Sequence, residues 1–235
     1  MLDKQITFGG TVVPAYLASV PTRQKPTRKM TVTPIAGTNR EVVDMEDAWE
    51  SVDQPYSLVL GDGSKNCVEE VANDVARALY KTGLQMLTDD YDPNHFRLAY
   101  FQGPFDVESR FTQLGRADIT FRCRPECFLL TGNIATNVPS GGSLFNPTMY
   151  SSSPLIHVEG SGNGTLIVAG VTIVLTGMVD YLNIDCDKMD TYRLPSENRN
   201  NLMTGSYPVL KSGENNVTFS GGITSVTITP RWFEI

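Results

Sequence analysis

The chain has 235 residues, 40% of them apolar, and a formal net charge of −7. That length can bury one large core or two modest ones, and no apolar run approaches the roughly 18–20 residues of a membrane-spanning helix. Residues 1–135 hold 14 Lys+Arg against 18 Asp+Glu, giving −4, and residues 136–235 hold 5 against 8, giving −3. Neither half therefore offers the basic face that grips phosphates; an acidic surface beside DNA lets it pass without sticking.

The opening residues, MLDKQITFGG, lack the basic start, apolar middle and cleavage site of a secretory signal, so synthesis and folding in cytosol are expected. Cys67, Cys123, Cys127 and Cys186 are scattered rather than laid out as a disulfide framework, and they are expected to be reduced.

In chain order, short strands are expected at Gln5–Phe8, Val12–Val20, Met30–Pro34, Glu41–Met45 and Tyr56–Leu60, separated by glycine-containing turns. One helix is expected from about Cys67 to Lys81. There Val68, Val71, Ala72, Val75, Ala76 and Leu79 form a single apolar stripe, with Asn66 as cap, Glu69 completing a capping box and Gly83 as the stop. Strands resume at Leu84–Leu87 and Phe96–Phe101, around the acidic turn Asp89–Asn94, and again at Ala117–Cys123. Residues 133–153, rich in Gly, Ser, Asn and Pro, read as a connection between domains.

The segment Phe145–Leu175 then builds sheet. Its apolar run Leu155–Val158 is followed by glycines Gly160, Gly162 and Gly164, read as a turn, and by Thr165–Val168 and Val171–Leu175, which only Ala169 and Gly170 separate. That is the spacing of a two-residue hairpin, although Ala is a poor choice for the positive φ of a primed turn. Further strands are expected at Val179–Asp185 and Tyr207–Leu210, and a closing pair at Asn216–Ser220 and Ile223–Thr229 is read as joined by a Gly221-Gly222 turn. Such spacing makes a β-sandwich the default for the second half.

The sequence offers little to build a reaction with. His95 and His157 have no evident nucleophile or orienting carboxylate beside them. Cys123 and Cys127 lack a second close pair of soft ligands. The acidic strings at 89–92 and 185–187 lack the pattern of a calcium loop, and the glycine string at 160–164 has no helix behind it to cradle phosphate. No catalytic residue, metal site or cofactor is expected, and the chain is read as not an enzyme.

Several stretches taken together resemble the distal tail (Dit) proteins of long-tailed phages that infect Gram-positive bacteria. These are the Phe145–Leu175 segment, Ile184-Asp185, the run Gly205-Ser206-Tyr207-Pro208-Val209-Leu210 continuing through Gly213-Glu214-Asn215, and the ending Pro230-Arg231-Trp232. Their order matches the family's proline-led strand, glycine turn and hairpin, "I-D", "G-x-[FY]-P-x-L-x-x-G-x-N" and "P-R-W". Asp118–Pro125 and Asp89–Gln102 resemble the family's N-terminal half more loosely.

The resemblance implies a mainly β protein: an N-terminal ring-forming domain (residues 1–135) with one helix and an extended hairpin, or belt; a galectin-like β-sandwich (136–228); and a terminal strand (229–235) returning toward the first domain. It also implies a homo-hexameric ring at the virion tail tip. That ring joins the major tail protein to the tail-associated lysin or tail fibre protein, serves receptor-binding proteins and leaves a lumen for DNA. The belt is placed at about Thr33–Tyr56, with Val43, Met45, Trp49 and Tyr56 as interface candidates; Trp49 either anchors a partner or packs in its own domain. The competing reading is a carbohydrate-binding module for host cell-wall glycans, using exposed Tyr150, Tyr181 or Tyr192.

Overall fold

The computed structural model describes residues 3–61 and 67–235, and the protein divides into two compact units, Met1–Cys127 with Ile235 and Phe128–Glu234. It is mainly β, with one α-helix among the described residues.

In the first unit β1 (Ile6–Phe8), β2 (Thr11–Val12), β3 (Tyr16–Leu17), β4 (Arg28–Pro34), β5 (Glu41–Trp49) and β6 (Val52–Leu60) precede α1 (Val68–Leu79). β7 (Gln85–Asp89), β8 (His95–Phe101), β9 (Val107–Phe111) and β10 (Leu114–Leu129) follow. The main sheet runs β2-β1-β7-β8-β10-β6-β3, with β9 also on β10, while β4 and β5, among the described residues, pair only with each other. Alternate residues of the central strands point to one side: Leu58 and Leu60 from β6, Ile119 and Phe121 from β10, Ala99 and Phe101 from β8. Against them α1 lays Val71, Ala72, Val75, Ala78 and Leu79. Phe121 is the hub of this core, with ring centroids of Phe8, Phe101 and Tyr56 at 4.9, 5.7 and 5.9 Å.

The helix departs from expectation at its ends. Its N-cap position is Cys67, which makes no side-chain capping bond, and the expected cap Asn66 lies outside the described residues. Toward the C-terminus Ala78 rather than Ala76 turns inward.

In the second unit β11 (Thr136–Asn137), β12 (Gly142–Asn146), β13 (Leu155–Val168), β14 (Val171–Met178) and β15 (Tyr181–Asp185) are followed by β16 (Asp190–Tyr192), β17 (Met203–Gly205), β18 (Gly213–Thr229) and β19 (Phe233–Glu234). Residues 133–153 lie inside this unit and do not link two bodies: β11 and β12 are short strands on β18. Gly-, Ser- and Asn-rich composition marks tight turns between short edge strands as readily as it marks a linker.

Two of the expected glycine turns are not turns. β13 and β18 run unbroken beside each other from Leu155↔Thr229 to Val168↔Val217, with irregular register around Gly160–Gly164. Before that bend β13 carries β15 on its other edge, and after it β14. The same two strands thus furnish both sides of one core: Ile156, Val158, Val226 and Ile228 before the bend, Leu166, Val168 and Val217 after it. The backbones touch at the bend, where a Cβ on Gly160 would strike the carbonyl oxygen of Gly222 and one on Gly222 would strike that of Ser161. Gly162 and Gly221 there have φ of +78° and +75°. The reason for the misreading is local, because a glycine that permits close backbone approach looks the same in sequence as one that permits a reversal.

The true hairpin turn is Ala169-Gly170, with φ of +51° and +83°, closing the pair Val168↔Val171. A left-handed Ala costs roughly 1–2 kcal/mol. Ala169→Gly is therefore expected to raise stability by about 0.5–1 kcal/mol after the added freedom of the unfolded chain is subtracted. Gly222→Ala is expected to lower it by at least about 3 kcal/mol. Urea unfolding of the two variants checks both signs.

One partly buried ion pair ties the chain end to this unit. Asp185, 2% exposed, receives Arg231 Nη1 on Oδ1 at 2.7 Å and Nη2 on Oδ2 at 3.2 Å. Burial alone would push this carboxyl up, but the hydrogen bonds and charge of Arg231, helped by Lys188, hold it below its usual value. A depressed carboxyl contributes fully above the unfolded-state value near ~4, and that contribution is lost as pH falls through the folded value. Asp185→Asn is expected to cost about 2–4 kcal/mol at neutral pH. It should also flatten the acid limb of a stability-versus-pH curve measured by denaturant titration.

Candidate assembly surface

The hairpin β4–β5 stands apart from every other strand of its unit. All seven residues of β4 and the first seven of the nine in β5 are exposed. Its tip is closed by Ile35 N–H donating to Arg40 O at 3.0 Å and Thr38 N–H to Ile35 O at 3.2 Å, with Gly37 at φ +80°. At its base Arg28 Nε donates to Glu46 O at 3.0 Å, and Glu50 N–H to Thr27 O at 2.9 Å.

Register decides what this ribbon presents. Met30 pairs with Met45 and Val32 with Val43, while Thr31 pairs with Asp44 and Thr33 with Val42. Directly paired residues share a face and alternate residues change face. One side is therefore Met30, Val32, Val43 and Met45, and the other carries Thr31, Thr33, Asp44 and Val42. The four apolar side chains are 55%, 43%, 47% and 59% exposed. A two-stranded ribbon with one apolar face is marginal alone and gains from any surface that covers it. Covering these four half-exposed side chains would contribute about 1 kcal/mol each.

The ribbon thus begins at Arg28, before the expected start at Thr33, and ends at Trp49. Val43 and Met45 lie on its apolar face. Met30 and Val32, which were not singled out from sequence, complete that face. Trp49 sits at the base opposite Arg28, half-buried. Tyr56 is elsewhere: it belongs to β6, is 3% exposed and packs edge-on to Phe121, so it is a core residue of its own subunit. Its side of β6 faces the core because Val52, Gln54, Leu58 and Leu60 alternate in step with it.

The Tyr56 hydroxyl donates to Asp89 Oδ2 at 2.9 Å, and Arg23 Nη2 donates to Asp89 Oδ1 at 2.8 Å. Burial and then the Asp89 carboxylate push the phenol well above its ordinary value. Asp89, read from sequence as the first residue of an acidic turn, is 5% exposed and accepts from Arg23, Tyr56 and the Tyr91 N–H.

The other polar groups weighed from sequence are bound up in the fold. His157 Nδ1 lies 2.8 Å from Asn183 Oδ1, and His95 Nδ1 lies 2.7 Å from Asp92 Oδ1. Burial pushes the Cys123 and Cys186 thiols up to about 12 and raises Cys127 as well, so none is a ready thiolate. Tyr150 stacks on Phe233 at 5.6 Å, and Tyr181 has His157 and Arg193 at 5.3 and 5.6 Å from its ring.

The whole-chain architecture was compared with solved structures. SPP1 Dit, described as a paradigm of the hub adsorption apparatus in phages infecting Gram-positive hosts, superposes with a TM-score of 0.73 at 12% identity, over 96% of this chain and 98% of that one. The fold is that of a Dit hub protein. Chains of the phage P2 baseplate in its activated conformation, with Ca and with Sr, match with TM-scores of 0.56 and 0.55 at 10% identity, over 96% of this chain and 97% of theirs. No protein-family model and no curated protein matches the sequence. The Dit fold is thus carried here at only 12% sequence identity.

Placing Tyr56 in the core has a measurable consequence. Tyr56→Phe is expected to lower stability by about 1–2 kcal/mol, since it leaves a buried carboxylate short of one donor. Self-association is expected to be unchanged at concentrations where the protein is folded. Thermal unfolding and sedimentation of the same variant separate the two effects.

Proposed function

We propose that this chain is the structural hub of a phage tail tip, six copies of which close into a ring through the β4–β5 ribbon. The carrying observation is that ribbon, a solvent-exposed hairpin whose Met30, Val32, Val43 and Met45 side chains form an apolar face that no described element of its own unit covers. A second copy supplies such a cover at every step of a closed ring. The Dit fold supports the ring reading. Ring faces would meet the major tail protein on one side and the tail-associated lysin or fibre on the other, with receptor-binding proteins at the periphery. The acidic balance suits a lumen that DNA crosses without adhering. Among the described residues no helix is long and apolar enough to cross a membrane.

The glycan-binding reading draws less support, because the rings of Tyr150 and Tyr181 already have partners within the chain.

Sedimentation velocity and negative-stain microscopy over a concentration series test the proposal. The native chain is expected to form closed rings as concentration rises, and the double variant Val43→Asp, Met45→Asp is expected to remain monomeric with an unchanged melting temperature. A native chain that stays monomeric at the highest concentrations, or a double variant that forms rings as readily, would overturn it.

A further inference from the structure

Next to the Asp89 anchor lies a small pocket whose lining includes Arg23, Tyr56, Asp89, Asp92, His95, Arg97 and Cys127. Arg97, on β8 opposite Leu87, is only 6% exposed. Its Nε and Nη1 donors are buried and find no acceptor among the described residues. A buried guanidinium with open donors is costly, by several kcal/mol if nothing answers it.

The carboxylates in the lining are already engaged. Asp89 accepts from Arg23 at 2.8 Å, Tyr56 at 2.9 Å and the Tyr91 N–H at 3.0 Å, and Asp92 lies 2.7 Å from His95. The pocket has room for one water-sized body and is open on one side. That is too little for a phosphate or a sulfate.

We propose that this pocket binds a single halide-sized anion, chloride in physiological media, seated against the two open N–H groups of Arg97. Arg23 and Arg97 balance Asp89 and Asp92 in the lining, while burial pushes the Tyr56 phenol and the Cys127 thiol upward.

The site does not depend on the tail role and is tested on the full chain. Thermal unfolding in sodium chloride against sodium gluconate, at matched ionic strength, is expected to show a melting temperature about 2–4 °C higher in chloride. The difference should be absent in Arg97→Gln. Crystals of the native chain grown in bromide are expected to show an anomalous peak within hydrogen-bond reach of Arg97 Nε or Nη1, a readout that needs no variant to fold. Superimposable melts in the two salts, or a bromide crystal in which the pocket holds only water, would overturn the proposal.

Discussion

An apolar sheet face has to lie against something, and three solutions to that requirement account for most of this molecule. In the first unit an amphipathic helix lies on the sheet, its inward residues meeting the alternate side chains of β6, β8 and β10. In the second unit the sheet covers itself: β13 and β18 bend together at Gly160–Gly164 and Gly221–Gly222, so the two halves of one strand pair enclose a common core. The β4–β5 ribbon has neither device. Its hydrogen bonds are satisfied along one seam and at its tip, yet its apolar face stays open. Of the three faces, only the ribbon's leaves its apolar side chains about half exposed.

What the sequence made legible follows from the range of each signal. Periodicity acts over a few residues, and so the helix stripe, the alternation in Ile119–Cys123 and the two-residue gap at Ala169-Gly170 all placed elements close to where they lie. Signals that depend on what lies opposite were opaque. G-S-G-N-G and G-G read as reversals, whereas their lack of Cβ serves the crossing of two backbones far apart in sequence. Met30 and Val32 alternate with threonines in a plain strand pattern, but only the register with Val43 and Met45 turns four scattered residues into a face. Tyr56 was misassigned for the same reason. Its neighbours alternate as a half-buried strand does anywhere, and its partner Asp89 lies 33 residues further along.

The residues on which the resemblance to Dit proteins rests turn out to be internal fasteners. The "I-D" aspartate, Asp185, and the "P-R-W" arginine, Arg231, are the two halves of one partly buried ion pair. Pro230 O accepts from the buried Ser152 hydroxyl at 2.7 Å, and Trp232 fills the core. Asn215, closing the "G-x-N" run, donates to Lys211 O and Gly213 O and accepts from the Lys211 N–H. Asn146, ahead of the Pro147 turn, donates to Tyr150 O and Leu210 O. Each satisfies buried backbone groups at a place where the chain leaves regular pairing, the kind of site where an unmatched polar atom is most costly.

That distribution bears on how such a chain works. A catalyst concentrates its distinctive residues in a cleft and leaves their polar atoms aimed at a substrate. Here the distinctive residues face inward and spend their polar atoms on the fold. The ribbon, held at its base by Arg28 and Glu50, leaves its apolar stripe exposed. An apolar stripe on an arm held at its base would lose less entropy on being covered than one on an unsupported loop. The same stripe on a floppy loop would lose most of its roughly 4 kcal/mol to ordering.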